Sequence, residues 1–93
     1  MAIKLYPTPG DFLRDNSAFF EKYEVQAQLN RGNAAAHMDE PCTPALLFGR
    51  VELSGKPVLL FGNTLPRHLC LNAAPDAAGI DKAITELAGY LLV

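Results

Sequence analysis

The sequence predicts one α+β domain in the order strand, two helices, three-stranded antiparallel meander and C-terminal helix, and three observations predict it. Aromatic and apolar residues recur at spacings of three and four between Phe12 and Tyr23, alternate with polar residues between Ala45 and Asn72, and return to helical spacing after Ala77. Proline and glycine punctuate the boundaries. Ninety-three residues hold one core, so residues 1–93 form a single domain.

Ile3 to Tyr6 alternates and reads as the first strand, which Pro7 ends by removing a ladder donor. Thr8-Pro9-Gly10-Asp11 then supplies a capping hydroxyl, proline at the first helical position and an acid three residues after the cap. A helix starts there. Phe12, Leu13, Asn16, Phe19, Phe20 and Tyr23 place an aromatic stripe on its core face, with Arg14, Asp15 and Glu21 elsewhere. Val25, Leu29, Gly32 and Ala36 continue as the thin stripe of a second helix, or a bent extension of the first, running to about Met38. Asn30, Gly32 and Asn33 weaken its middle, so a break is expected near Gly32. Pro41 and Pro44 make the following segment a loop.

From Ala45 the period becomes two: Leu47, Val51 and Leu53 share one face, and Arg50 and Glu52 take the other. Ser54-Gly55-Lys56 forms a tight turn into Pro57 to Phe61, whose apolar residues on both faces predict a strand covered on both sides. His68 to Asn72 reads as the third strand of the meander, with Leu69 and Leu71 opposite His68, Cys70 and Asn72. Pro75 and Asp76 open the last helix, striped by Ala77, Ile80, Ile84, Leu87, Ala88 and Leu91.

Composition excludes some partners and favours others. A formal charge of −2 and eight scattered Lys and Arg give no basic field for nucleic acid. No apolar run approaches the roughly 20 residues that span a bilayer, and residues 1–6 lack the apolar core of a signal peptide, so a cytoplasmic protein with reduced Cys42 and Cys70 is expected, and no membrane partner. Apolar residues at 49% against charged residues at 19% exceed what a small core hides, which predicts a homo-oligomer, with a dimer the simplest form.

Three stretches resemble the N-terminal part of GNAT-family N-acetyltransferases: Pro9 to Leu13, Leu46 to Val58, and Thr64 to Asn72. The last is similar to a Thr-Pro-Pro-His-Asn-Leu-Leu-Leu-Ser segment near the start of some bacterial GNAT-family proteins whose N-terminal region is a degenerate GNAT-like unit. The resemblance implies the first half of a GNAT-like fold and, for a complete enzyme, acetyl-CoA as cofactor. It implies a phosphate-binding Gln/Arg-x-x-Gly-x-Gly/Ala loop where this chain has Asn72 to Asp81, a stretch with one glycine, a proline and Asp76. The family's later strands lie past Val93. The expected function is therefore a non-catalytic GNAT-like module acting through self-association or a protein partner, with no cofactor for the isolated chain. The alternatives are part of an acyl-CoA-dependent N-acetyltransferase completed by another chain, and a small-ligand-binding module.

Candidate chemistry is sparse. His37, Cys42, His68 and Cys70 have metal-ligating side chains, but their spacing matches no compact zinc motif, so no metal is expected. Neither cysteine has a local group to orient a base, so no catalytic residue is assigned, and the acids Asp11, Asp15, Glu21 and Glu24 read as a solvated face. Asn63, Arg67 and His68 are the polar residues nearest the strand ends where small ligands settle. Leu69, Leu71, Leu91, Leu92 and Val93 are the expected interface residues, at an edge another family strand would cover.

Overall fold

The chain folds around a four-stranded antiparallel sheet of order β1-β2-β3-β4, helices α1, α2 and α3 packing on one face and α4 on the other. The computed structural model describes residues 2–64, 69–74 and 79–91. The elements are β1 (Ala2–Leu5), α1 (Pro9–Asp15), α2 (Ser17–Lys22), α3 (Glu24–Ala35), β2 (Leu46–Leu53), β3 (Lys56–Thr64), β4 (Cys70–Ala73) and α4 (Ile80–Leu91). The α+β class and the strand order of the meander are those the sequence predicts.

The start of α1 follows its capping signals. Thr8 is extended, its hydroxyl accepts the Asp11 backbone N–H at 3.2 Å, and the Gly10 N–H is taken by the Met38 carbonyl at 3.0 Å. The predicted first helix is in fact two. Asn16 separates α1 from α2 at φ −111° and ψ 19°, and its side-chain amide donates to the Phe12 carbonyl at 2.9 Å. An asparagine that bonds its own preceding turn competes with helical hydrogen bonding, which is why the axis turns there.

The predicted weak point at Gly32 is continuous helix. The stripe expected for α3 is also on the wrong side: Leu29, Gly32 and Ala36 are exposed, while Ala27, Asn30 and Ala34 are buried. Two alanines let α3 lie close to the sheet, and tertiary packing overrides the low propensity of Gly32.

Alternation then divides the sheet residues between two cores. Phe48 and Leu60 join Tyr6, Phe12, Phe19 and Phe20 beneath α1 to α3, with Phe12 and Phe48 ring centroids 5.1 Å apart. Val51, Leu59 and Phe61 pack on the other face against Ala83 and Leu87 of α4. Covering both faces of β3 accounts for its apolar run. Ser54 and Gly55, at φ 54° and 78°, form the two-residue loop that pairs Leu53 with Lys56. A register shift opposite Val51 and Glu52 leaves one extra residue, Val58, in β3, and Leu53, the last residue of β2 before the turn, is exposed.

Candidate functional site

Three regions gather side chains with chemical or binding potential: an ionic cluster under the α1–α2 turn, an amide clasp between α3 and β4, and the apolar surface on the α4 side.

The ionic cluster is built by β1, β2 and the Asn16 turn. Lys4 and Arg50 are paired across β1 and β2, so both side chains leave the sheet on the face that carries α1. Asp15 meets them from the last residue of α1, with Lys4 Nζ 3.0 Å and Arg50 Nη1 3.4 Å from its Oδ2. Tyr6 donates its hydroxyl to the same oxygen at 2.5 Å and accepts from Asn16 Nδ2 at 3.2 Å. Arg50 also donates to Asn16 Oδ1 at 3.1 Å and through Nε to Glu52 Oε2 at 2.6 Å.

The electrostatics follow from that geometry. The Tyr6 hydrogen bond, then that of Lys4, holds the Asp15 carboxyl below its ordinary range. Burial, reinforced by the bond to anionic Asp15, pushes the Tyr6 phenol above its own. Each shift moves its group away from neutral pH, the reverse of what a general acid or base needs. The cluster instead ties β1, α1 and β2 together. Asp15 is exposed as the sequence predicts, but the set it joins is not visible in local pattern, because Tyr6, Asp15 and Arg50 come from segments 9 and 35 residues apart.

The clasp centres on Asn30, fully buried on α3, whose Nδ2 donates to Asn72 Oδ1 at 2.5 Å and to the Cys70 carbonyl at 3.2 Å. It holds Cys70 and Asn72 on the α3 side of the sheet. Leu71 consequently faces the α4 side, opposite Phe61, where it is 42% exposed, and Leu69 before it is 38% exposed.

Of the expected ligand residues, Asn63 alone lies among the described residues. Asn63 donates to the Pro44 carbonyl at 3.3 Å, a tie between β3 and the loop before β2. Arg67 and His68 lie outside the described residues, as do Leu92, Val93, Pro75 and Asp76. His37 contacts Glu40 at 2.5 Å, and among the described residues no group of three or more His, Cys, Asp or Glu comes together.

The expected interface residues divide between two places. Leu69 and Leu71 sit at the β4 edge of the sheet, whereas Leu91, 37% exposed, lines a groove toward the β1 edge. That groove has a volume of about 650 Å³ between Leu5, Leu47, Tyr90, Leu91 and the Cys42-Thr43-Pro44 loop. Burial pushes the Cys42 thiol up, so it is a poor nucleophile there.

Among the described residues no helix is long and apolar enough to cross a membrane. The fold and its surfaces define an α+β protein with a four-stranded antiparallel sheet, its charged cluster satisfied internally and several large apolar side chains exposed around α4. Comparison with protein-family models, with curated proteins and with solved structures gave no match.

Proposed function

We propose that the chain is a non-catalytic, GNAT-like interaction module that acts by associating with a second copy of itself. One observation carries this reading: the α4 side of the sheet keeps large apolar side chains in water. Helix α4 is 12 residues long and packs on β2 and β3, and Leu71, Leu69, Tyr90, Leu91 and Leu5 stay between 37% and 45% exposed around it. Exposed apolar side chains that lie close together on a surface mark contact sites. The absence of an assembled acid, base or nucleophile near neutral pH in the charged cluster supports the same reading, and the resemblance to GNAT-family proteins supports the architecture without the activity.

A native dimer unfolds with a midpoint that rises with protein concentration, so thermal melts across a hundredfold concentration range test the proposal. A rising midpoint is expected, with no heat on titrating acetyl-CoA. A midpoint independent of concentration, or micromolar acetyl-CoA binding, contradicts it; the latter favours an acetyltransferase completed by another chain.

A second reading, a small-ligand module, rests on the groove beside Leu5 and Tyr90, whose volume falls within the range of small-molecule sites. It predicts saturable quenching of tyrosine fluorescence by a small apolar probe, reduced in Tyr90→Phe.

A further inference from the structure

We propose that two copies pair antiparallel along β4, about a two-fold axis through Leu71, to make one continuous sheet. This rests on the self-association reading and specifies its geometry. Ala74 donates its N–H to the Val58 carbonyl at 3.0 Å, and the register of β3 and β4 pairs Cys70 with Gly62, Leu71 with Phe61 and Asn72 with Leu60. In an antiparallel ladder, residues that exchange hydrogen bonds with the neighbour alternate with residues that turn N–H and C=O away from it. Cys70, Asn72 and Ala74 therefore bond β3. Leu69, Leu71 and Ala73 turn their backbone groups to the side of β4 on which no described strand pairs.

Those three outward residues are self-complementary. With the axis at Leu71, Leu71 faces its own copy and Leu69 faces Ala73 twice, three pairs that together exchange roughly six hydrogen bonds. Moving the axis one residue either way loses a pair within residues 69–73. On the α4 side the pairing sets Leu71 on Leu71 and Leu69 on Ala73, apolar against apolar. On the α3 side it sets Cys70 beside Asn72. No charged residue and no proline lies between Leu69 and Ala74, so nothing along the edge repels a second copy.

The other edge is built differently. Tyr6 N–H bonds the Phe48 carbonyl at 3.2 Å, so Ile3 and Leu5 are the outward residues of β1. Lys4, paired with Asp15 at 3.0 Å, and Pro7 at its end are devices that blunt an edge against further strands. Pairing β1 with β4 of another copy would also leave a free edge at each end and grow without limit, whereas β4 on β4 closes as a dimer. The edge from Leu69 to Ala73 carries two leucines and buries less than the roughly 800 Å² per partner of a standard interface, the size range of weak, reversible dimers.

The test replaces Cys42 and Cys70 by Ala and introduces Leu71→Cys. Facing residues of a hydrogen-bonded pair have Cα atoms about 5.5 Å apart, within disulfide range, so mild oxidation should link two copies at least about tenfold faster than in the same background with Leu5→Cys. Amide exchange in the wild-type chain gives an independent readout: the Leu71 and Ala73 amides should gain protection as concentration rises, and those of Ile3 and Leu5 should not. Cross-linking of wild-type chains through Cys70 would overturn the axis at Leu71, and preferential linking through Leu5→Cys, or a sedimenting dimer with unprotected Leu71 and Ala73 amides, would overturn the β4 pairing, each leaving self-association standing. A monomer at all concentrations would overturn both.

Discussion

The side-chain oxygen of Asn30 lies so close to Gly62 that a Cβ added at Gly62 would sit 2.4 Å from it and 2.7 Å from the Phe48 ring. Both neighbours are fully buried, so neither side chain can swing away. Gly62→Ala should therefore destabilise the fold by about 1 to 3 kcal/mol, the usual cost of overpacking, read from urea unfolding. Stability equal to or above that of the wild type would show that α3 can shift away from β3.

Asn30→Ala removes the donor that Asn72 and the Cys70 carbonyl share. It should cost about 2 kcal/mol and speed amide exchange in β4 more than in β2. Uniform acceleration across the sheet would mean that Asn30 is not the residue that fixes β4.

The Tyr6–Asp15 bond predicts opposite pH dependences at the two ends of the scale. Asp15 has a lowered pKa in the folded chain, so its stabilisation is present above the unfolded carboxylate value of about 3.9 and is lost as pH falls through the lower folded value. Tyr6 has a raised one, so its contribution is full below the unfolded phenol value of about 10 and is lost as pH rises past it. Asp15→Asn should flatten the acid limb of a stability–pH curve, and Tyr6→Phe the alkaline limb. Unchanged limbs in both variants would remove the linkage.

Ser54 occupies the left-handed region at φ 54° without being glycine or asparagine. Ser54→Asn completes the Asn-Gly pair favoured in this turn and should stabilise the hairpin by roughly 0.5 to 1 kcal/mol. A lower melting temperature would show that the Ser54 side chain has a role beyond the turn.

The sequence discloses most where a local rule acts alone. Thr8 and Pro9 mark a helix start by capping chemistry, and the apolar run to Phe61 marks a strand covered twice by its composition. Asn16 and Gly32 were harder, because each sets propensity against packing: the Asn16 side chain bonds its own turn and divides a helix, whereas Gly32 is carried through one by its neighbours Ala27, Asn30 and Ala34. The ionic cluster was not legible at all. Nothing in the local pattern around Tyr6 or Arg50 says that Asn16 will stand between them, since only the tertiary fold brings β1, β2 and the α1–α2 turn to one point. The exposed leucines of β4 were legible from alternation, and the open edge they decorate became visible once the register with β3 was known.

Sedimentation equilibrium of the wild-type chain and of Leu71→Glu, across micromolar concentrations, tests self-association most directly. The wild-type mass should climb toward twice that of the monomer, while two glutamates facing each other across the β4 axis should hold the variant at the monomer mass with its fold intact. A wild-type chain that keeps the monomer mass at every concentration and still unfolds cooperatively would contradict the account.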